Sequence, residues 1–348
     1  MKKRLRVGIN GFGRIGRIVA RILLEQREHD LVHINDLNPD SANLAYLLKY
    51  DSTYGRLPDV IAAESKGIRI DENWVSVSHQ EAIDAVDWKT NGVDVVIEAT
   101  GVKQNEELSR NLTKKGISVI VTNSSSIADF ILLFGVNESK FRPQEHKLLC
   151  TSICDVNACA PVLNVLDRAF GVAGGFITSL HPWLSYQNLM DGSSRSQSYP
   201  GQVYSHYPLG RSSIGTLIPK PTTLVSALEK VMPHLSGRLQ CLSYRVPTQT
   251  VTSADMTIEF SRDVTEKQIL EAMDVALQDK NLRRVLRVSD EPLISVDYQA
   301  DPHSVIFDTR WLMVNRGRLV KLVLWYDNEW GYSSRVADAI DLIAQNET

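Results

Sequence analysis

The chain has almost no excess charge, and this argues against the partners that strongly charged proteins bind. Its 348 residues include 38 basic and 41 acidic side chains, which gives a formal net charge of −3 at neutral pH. Domains that bind nucleic acids usually carry a basic excess, and proteins that bind membrane surfaces carry basic clusters. The balance therefore predicts neither a nucleic-acid partner nor a membrane partner.

Long apolar runs are missing as well. No stretch approaches the roughly 20 apolar residues that a membrane-spanning helix needs. The first residues, MKKRLR, are basic as in a secretion signal, but Gly8, Asn10 and Arg14 interrupt the apolar segment that should follow. We therefore expect a cytoplasmic protein without a transmembrane helix.

Cysteine is scarce and is placed unlike the cysteines of a disulfide or zinc framework. The four cysteines are Cys150, Cys154, Cys159 and Cys241. Disulfide frameworks belong mainly to small secreted domains, and cysteines at this spacing without nearby histidines are a poor zinc signature. We expect free thiols, no metal, and one thiol that is reactive.

The chain begins with the pattern of a dinucleotide-binding unit. The sequence predicts a strand, a glycine turn, a helix, a second strand and an acid, at Leu5–Ile9, Gly11–Gly16, Ile15–Glu25, Asp30–Ile34 and Asp36. A GxGxxG alone is often only a turn, but the complete unit is typical of the Rossmann fold. We therefore predict that the N-terminal part binds a dinucleotide.

Each part of this unit has a physical role. Gly11 permits the tight turn, Gly13 lets the backbone approach a pyrophosphate, and Gly16 packs the helix against the strand. The pyrophosphate would lie on the N–H groups at the start of the helix. Asp36 follows Gly16 by about 20 residues, where a carboxylate accepts from the ribose 2′-hydroxyl and repels a 2′-phosphate. The expected cofactor is NAD rather than NADP.

Two further buried strands are predicted, and each is followed by polar residues. Thr100 and Gly101 follow the strand Val95–Glu98, and Thr122 follows Ser118–Val121. In a doubly wound sheet the carboxyl ends of the strands form the cofactor crevice. Thr100, Gly101 and Thr122 are therefore candidate cofactor contacts.

The pattern changes after about residue 160. Strands now dominate, at Gly175–Leu180, Tyr244–Val246, Met256–Phe260, Leu293–Asp297, Ser304–Asp308 and Arg318–Tyr326, with helices at Val162–Phe170, Thr223–Met232 and Thr265–Gln278. The fold class expected is an α/β Rossmann-type NAD-binding domain plus an α+β catalytic domain with a mostly antiparallel sheet. The last helix, Arg335–Gln345, should pack on the first domain, so the domains are placed at residues 1–153 with 328–348 and at residues 154–327.

Cys154 and His181 are the candidate catalytic residues. Cys154 follows an apolar run and precedes a helix expected to begin near Asn157, and a helix N-terminus lowers the pKa of a thiol. His181 ends a strand and could exchange a proton with Cys154 across a domain crevice. The alternatives, an inert buried cysteine and a histidine that only packs, stay open on these residues alone.

Seven strings spread over the chain resemble the glyceraldehyde-3-phosphate dehydrogenase family. They are INGFGRIGR (9–17), LLKYDSTYGR (47–56), EATGV (98–102), the cysteine loop (154–161), RVPT (245–248), DPHSVIFD (301–308) and WYDNEWGYS (325–333). The resemblance implies that Cys154 is the nucleophile and His181 the base. It also implies that Asn328 holds the nicotinamide carboxamide and that Arg14 and Ile15 contact the cofactor.

The resemblance also implies a reaction and an assembly. A thiolate attacks the aldehyde, the histidine takes the hydroxyl proton, hydride goes to NAD, and inorganic phosphate releases the thioester. The family is typically tetrameric, and the irregular stretch 182–207 corresponds to a loop that borders a neighbour's cofactor site. A homo-oligomer is expected on this ground alone.

The chain departs from the family pattern at its two anion sites, one for the substrate phosphate and one for inorganic phosphate. The family's HSYTNDQ is HPWLSYQ here, so that Leu184 and Tyr186 stand at a threonine and an aspartate. The other changed positions are Ile153, Asp155, Leu209 and Thr223, where the family pattern has serine, threonine, arginine and glycine. Arg245 and Thr222 remain, and Lys220 and Arg211 are possible substitutes.

These departures predict a changed substrate. Charge-assisted hydrogen bonds contribute roughly 1.5–3 kcal/mol each, so the loss of several should weaken phosphate binding by orders of magnitude. Asp155 also disfavours ionisation of the adjacent thiol. We expect a non-standard small-molecule aldehyde that is larger, apolar at one side or phosphorylated elsewhere, in a pocket lined by Trp183, Leu184 and Tyr186, with water as a possible acyl acceptor. The alternatives are a genuine phosphorylating enzyme with remodelled sites, and a catalytically weak NAD-binding scaffold or regulatory homologue.

Overall fold

The computed structural model describes residues 3–346. Its strands are β1 (Arg6–Asn10), β2 (Asp30–Asn35), β3 (Tyr50–Asp51), β4 (Gly55–Arg56), β5 (Ile61–Glu64), β6 (Gly67–Ile70), β7 (Asn73–Ser78), β8 (Val95–Glu98), β9 (Ser118–Val121), β10 (Phe130–Ile131), β11 (Leu148–Cys150), β12 (Val172–Pro182), β13 (Ile218–Lys220), β14 (Leu239–Val246), β15 (Thr252–Phe260), β16 (Leu286–Ser289), β17 (Val305–Asn315) and β18 (Leu319–Tyr326). Its helices are α1 (Arg14–Gln26), α2 (Ser41–Lys49), α3 (Lys103–Thr113), α4 (Cys154–Phe170), α5 (Leu224–Glu229), α6 (Glu266–Ala276), α7 (Lys280–Val285) and α8 (Trp330–Asn346).

The first sheet is doubly wound. Its order is β10-β11-β9-β8-β1-β2-β7-β6-β5. The strands from β10 to β7 are parallel to their neighbours, and β6 and β5 form an antiparallel edge. The chain winds outward in both directions from β1, which puts a crevice at the carboxyl ends of β1 and β8. The predicted Rossmann-type domain is confirmed.

Helices cover both faces of this sheet. Every residue of β8 and β9 is buried, as expected for parallel strands between helical layers. Helix α1 buries Ile18, Val19 and Leu23, which lie on its apolar side. Helix α8 contributes Val336 and Ile340 to the core of the same domain, which confirms that the last helix packs there.

The second sheet has seven strands in the order β13-β14-β12-β15-β18-β17-β16. Four of its pairings are antiparallel, while β12 pairs with β14, and β16 with β17, in parallel. One face packs on α4, α5 and α6, through residues such as Leu163, Leu228 and Met273. The predicted α+β domain with a mostly antiparallel sheet is confirmed.

For two of the predicted elements, the structure has a different kind of element or a different starting residue. The strand expected at Leu293–Asp297 is wrong, because Ser295–Tyr298 forms a 3-10 turn in which Asp297 Oδ2 accepts from Ile294 N at 2.8 Å. Helix α4 begins at Cys154 rather than near Asn157. Asn157 lies inside the first turn, where its side chain donates to Thr151 O at 2.7 Å. The cysteine is therefore the first residue of the helix.

Several elements were not predicted, among them α2, α3, α7 and β16. The last two have only six and four residues, too few for a period to be recognised. Within residues 3–346, no helix combines the length and the apolar character needed to cross a bilayer.

The loop between β11 and α4 is fixed by the last helix. The Tyr332 hydroxyl donates to Ser152 O at 3.1 Å and shares a hydrogen bond of 2.9 Å with Thr151 Oγ1. Ser152 has a φ of 58°, a left-handed conformation that is rare outside glycine. The hydrogen bonds therefore hold a strained residue two positions before the cysteine.

Tyr332→Phe should destabilise the protein by about 1–3 kcal/mol, because it removes the buried partner of Ser152 O while keeping the ring. Tyr46→Phe is the matched control, since Tyr46 is 60% exposed and its change should stay within about 0.5 kcal/mol. Urea unfolding followed by fluorescence measures both. Equal midpoints for the two variants would show that the Tyr332 hydroxyl does not hold the loop.

Candidate active site

Cys154 lies where the two domains meet. Strand β11 ends at Cys150 at the carboxyl edge of the first sheet, and α4 begins with Cys154 and runs into the second domain. The side chain packs against the cores of both domains and is partly exposed. The topology alone thus places the thiol at the mouth of the crevice between them.

His181 faces this thiol. Cys154 Sγ lies 3.7 Å from His181 Nε2, and His181 Nδ1 lies 2.8 Å from Pro182 O. A carbonyl oxygen only accepts, so Nδ1 carries the proton and Nε2 turns its lone pair to the thiol. Burial, with the charge of Arg245, lowers the pKa of His181 to about 4. The ring is therefore neutral at neutral pH and ready to accept a proton.

Asp155 lies on the other side of the thiol. Its Oδ1 is 3.5 Å from Cys154 Sγ and accepts from the Tyr326 hydroxyl at 2.7 Å. Burial first, and the Asp155 carboxylate second, raise the pKa of Cys154 well above its usual value. The backbone N–H of Asp155 at the helix N-terminus lowers this pKa, as expected, but burial and the Asp155 carboxylate outweigh it.

Two cations lie behind the histidine. Arg245 is paired in register with His181 across β14 and β12, and its guanidinium donates to Pro182 O and to the Tyr186 hydroxyl, each at 3.2 Å. Its Nε is buried without a partner. Burial and the charge of Arg245 lower the pKa of Lys220 to about 8. The site therefore contains one buried carboxylate and two cations around a neutral thiol.

Arg211 does not join these cations. It is exposed and pairs with Asp191 at 2.9 Å, so the idea that it could replace the missing arginine is wrong. Leu209, at the position of that arginine, is buried among other residues and offers no charge.

A cleft of about 440 Å³ opens in front of Cys154. It is lined by Gly13, Arg14, Ile15, Ala99, Thr100, Gly101, Thr122, Asn123, Ile153, Cys154, His181, Leu184, Ser185, Tyr186, Gln197, Ser198, Tyr204, Asn328, Glu329 and Tyr332. The loop 182–207 therefore borders the cleft of its own chain, through Gln197, Ser198 and Tyr204.

The predicted substrate residues divide into two groups. Leu184 and Tyr186 line the cleft, as expected, whereas Trp183 does not. Asp155 and Arg245 contact the residues of the cleft from behind, through Cys154 and Tyr186. Thr222 and Thr223 do not line the cleft, and Thr223 is exposed to solvent.

A second cleft of about 550 Å³ continues from the first. It is lined by Gly11, Asp36 and their neighbours, and it shares Gly13, Ala99 and Thr100 with the cysteine cleft. Volumes of this order are typical of ligand pockets, about 300–1,000 Å³. The two clefts together pass over the start of helix α1.

The glycine turn leaves room for a dinucleotide. A Cβ at Gly13 would meet nothing within 4 Å, whereas one at Gly16 would lie 2.1 Å from Gly11 O. Gly11 has a φ of 90°. Helix α1 begins without a side-chain cap, so its first N–H groups face the cleft. These are the features that a pyrophosphate needs, and the predicted roles of the three glycines fit the geometry.

A polar side chain that could bind a ligand lies at each end of the joined clefts. Asp36 is held at the edge by N–H groups of Phe12 and Asn38, at 2.6 and 2.9 Å. At the other end Asn328 Oδ1 is buried without a hydrogen-bond partner. A buried amide oxygen of this kind is costly unless a ligand supplies a donor, as the carboxamide of a nicotinamide does.

Arg14 has a different environment from the one the sequence suggested. Its guanidinium forms ion pairs with Asp51 and Glu329, so a contact with the cofactor would come from its backbone.

Glu98 was not among the predicted site residues. It is buried below the cleft and accepts from Asn10 Nδ2 at 2.5 Å and from Thr100 N at 2.9 Å. Burial raises the pKa of Glu98 to about 7. The position of Glu98 at the end of β8, beside Thr100 and Gly101, could have indicated it as a site residue.

Comparison with known proteins covers nearly the whole chain. Residues 5–106 match the NAD binding domain of glyceraldehyde 3-phosphate dehydrogenase, and residues 153–328 match its C-terminal domain. The chain is 38% identical over 341 residues to glyceraldehyde-3-phosphate dehydrogenase from Kitasatospora aureofaciens, which covers 97% of this chain and 99% of that protein.

Two further relatives agree with this. Glyceraldehyde-3-phosphate dehydrogenase of Streptomyces coelicolor is 34% identical over 338 residues, 96% of this chain and 97% of the relative. Glyceraldehyde-3-phosphate dehydrogenase 1 of Schizosaccharomyces pombe is 35% identical over 342 residues, 98% of each chain.

Alkylation of Cys154 by iodoacetamide should be slow at about pH 7 and should rise about tenfold per pH unit, because the thiolate reacts and the raised pKa keeps the thiol protonated. Asp155→Asn removes the adjacent charge and should accelerate the reaction. Mass spectrometry of the Cys154 peptide gives the rates, with the exposed, remote Asp290→Asn as control. A rate that levels off near neutral pH, or one unchanged in Asp155→Asn, contradicts this electrostatic account.

Proposed function

Because the chain belongs to the glyceraldehyde-3-phosphate dehydrogenase family, we propose that Cys154 is the nucleophile and His181 the base of its reaction. Members of this family are NAD-dependent oxidoreductases that act on an aldehyde group, and this chain is one of them. The observation that carries the residue assignment is the 3.7 Å approach of Cys154 Sγ to His181 Nε2.

The proposed reaction follows from this contact. The sulfur of Cys154 attacks the aldehyde carbon while its proton passes through His181 Nε2 to the carbonyl oxygen, which gives a hemithioacetal with a hydroxyl group. His181 Nε2 accepts the hydroxyl proton of that adduct while hydride leaves its carbon, so that a thioester remains on Cys154. When bound, NAD supplies the hydride acceptor and a positive charge near the thiol. Water or phosphate then releases the acyl group.

Cofactor positions are proposed from the same geometry. The N–H groups at the start of α1 would hold the pyrophosphate, Asp36 the adenosine ribose, and Asn328 the carboxamide. Thr100, Gly101 and Thr122 line the clefts between these points. We also place the domain boundaries at 153/154 and 327/328, supported by where the chain leaves the first sheet after β11 and returns to it with α8.

For the substrate, we propose an aldehyde that is not recognised through a phosphate. Tyr186 separates the Arg245 guanidinium from the cleft, because its hydroxyl accepts from Nη2 at 3.2 Å and Tyr186, unlike Arg245, lines the cleft. Leu184 adds an apolar side chain to the same wall. An anion in this cleft would meet a phenol and an alkyl group rather than a guanidinium, so a neutral aldehyde fits better.

A second candidate is the phosphorylating oxidation of glyceraldehyde 3-phosphate, the substrate in the names of the relatives. The observation that favours it is the unpartnered Nε of Arg245 beside Lys220. The buried Arg245 and the half-buried Lys220, next to a single carboxylate, would gain from an anion if Tyr186 turned away. A scaffold without catalysis fits the site less well, since the thiol and the imidazole are already in contact.

Formation of NADH distinguishes these candidates. With NAD and unphosphorylated glyceraldehyde, we expect turnover that needs no inorganic phosphate and is absent in Cys154→Ala. Tyr186→Phe should raise the preference for glyceraldehyde 3-phosphate by about 2–10-fold, because it frees one hydrogen bond of Arg245. The matched control is Tyr46→Phe, on the exposed surface.

Other outcomes decide against the first candidate. Turnover that requires both the phosphorylated aldehyde and inorganic phosphate would establish the second candidate. No Cys154-dependent NADH with any aldehyde, while NAD still binds, would leave the scaffold.

We further propose a homo-oligomer, a tetramer by family resemblance. The outer face of the second sheet exposes large apolar side chains at Phe176, Leu180, Leu242, Trp311, Met313 and Leu319. Polar side chains such as Thr257 and the ion pair of Asp255 with Lys321 lie between them. Exposed apolar side chains rimmed by polar ones commonly mark protein interfaces.

Phe176→Glu should lower the mass of the assembly, because it puts a charge in the middle of this face. Val60→Glu is the control, since Val60 is 71% exposed in the first domain and Phe176 is 66% exposed. Light scattering after gel filtration measures both masses. A monomeric wild type, or equal masses for wild type and Phe176→Glu, rules out an interface at this face.

A further inference from the structure

Three kinds of metal-ligand side chain converge at the start of α4. Cys154 Sγ lies 3.5 Å from Asp155 Oδ1 and 3.7 Å from His181 Nε2. One ligand atom from each of the three residues lies within 4.8 Å of the others. Among the residues that the structure describes, no other group of three or more cysteine, histidine, aspartate or glutamate side chains meets this spacing.

The two distances from the sulfur fit a tetrahedral ion. Zinc binds sulfur at about 2.3 Å, imidazole nitrogen at about 2.0–2.1 Å and carboxylate oxygen at about 2.0–2.2 Å. At tetrahedral angles these bonds hold the sulfur about 3.6 Å from the nitrogen and from the oxygen. The observed distances of 3.7 and 3.5 Å lie close to that value.

The outer contacts of two ligands also suit a metal. A metal-binding histidine usually donates its other N–H to a carbonyl or carboxylate, and ligating carboxylates are themselves hydrogen-bonded. His181 donates from Nδ1 to Pro182 O at 2.8 Å, which leaves Nε2 free for the ion. Asp155 accepts from Tyr326 at 2.7 Å. Both orienting partners are therefore already present.

The charges around the site select the kind of ion. The cysteine would bind as thiolate, after losing its proton to solvent, so that thiolate and carboxylate together neutralise a divalent cation. The positive charges of Arg245 and Lys220 lie near Cys154 and Asp155, so they weaken the binding of any cation that is held by charge alone. A hard, oxygen-preferring ion would gain little here, whereas an ion with high affinity for sulfur gains the thiolate bond.

We propose that Cys154, Asp155 and His181 bind a divalent, sulfur-preferring cation of the Zn²⁺ class, with the fourth position open to the cysteine cleft. The bound ion occupies the nucleophile and the base at once. It therefore acts as a reversible block of the site, and this inhibitory consequence, unlike the binding itself, rests on the proposed function.

Calorimetric titration of the NAD-free protein with Zn²⁺ tests the binding. We expect one ion per chain in the wild type and at least about tenfold weaker binding in Asp155→Asn, since loss of even an outer-shell partner of a metal site costs about 10–100-fold. Asparagine keeps the shape of the side chain and can still accept from Tyr326. The control is Asp290→Asn, an exposed carboxylate outside the cleft.

A second set of measurements guards against misfolding and against binding to the thiol alone. His181→Gln should weaken Zn²⁺ binding by a similar factor, and circular dichroism shows whether each variant is folded. Co²⁺ should produce a thiolate-to-metal absorption band in the wild type that is lost in Cys154→Ser. Equal Zn²⁺ affinity in wild type, Asp155→Asn and His181→Gln would overturn the three-ligand site.

These results are separable from the test of function. Zn²⁺ binding without Cys154-dependent NADH formation would leave the metal site intact and remove the proposed reaction. If the wild type forms NADH but binds Zn²⁺ no more tightly than Asp155→Asn does, only the metal site is ruled out.

Discussion

The geometry of the site depends on the hydrogen bonds that tie the cysteine loop to the last helix. Tyr332 comes from the far end of the chain, yet its hydroxyl contacts Thr151 and Ser152, immediately before α4. Because helix α8 is fixed to the first sheet by its apolar side, the loop is fixed to that sheet as well. The thiol of Cys154 is thus positioned against the cofactor clefts by one domain, while the second domain brings His181 to it on β12.

The electrostatic balance around Cys154 is the second constraint. A buried carboxylate, a neutral imidazole and two cations surround a thiol whose pKa is raised. Burial, reinforced by Asp155, disfavours the thiolate, and burial, reinforced by Arg245, disfavours the imidazolium of His181. The thiol and the imidazole are therefore both neutral, and a positive charge in the cleft would shift the thiol toward the thiolate.

The fold was largely predictable, because its signals are local. A few adjacent residues determine the glycine turn GxGxxG and the buried strands VVIE and SVIV. All three appear in the structure as predicted. The strand expected at Leu293–Asp297 failed since an apolar alternation predicts a strand only if a neighbour pairs with it. Ile294 and Val296 remain 64% exposed, and Asp297 closes a local turn instead.

The site was predictable only in part, because its decisive contacts join distant residues. The sequence indicated Cys154 and His181, but it did not contain the 3.7 Å between them, nor the separation of Arg245 from the cleft by Tyr186. It also left the direction of the thiol pKa open between the helix N-terminus and Asp155, since both are visible in sequence and the burial that decides it is not. Arg14 shows the same limit, because its ion-pair partners Asp51 and Glu329 lie far from it in the chain.

Asp155 connects the chemical properties of this site. A carboxylate there weakens an anion site, since it repels phosphate, and it suppresses the thiolate of Cys154. The same carboxylate adds an oxygen ligand to a sulfur and a nitrogen that already face each other, so a site made poorer for anions becomes better for a divalent cation. Both consequences follow from one buried charge held by Tyr326. Removal of that charge should therefore move thiol reactivity and Zn²⁺ affinity in opposite directions, which a loss of folding would not do.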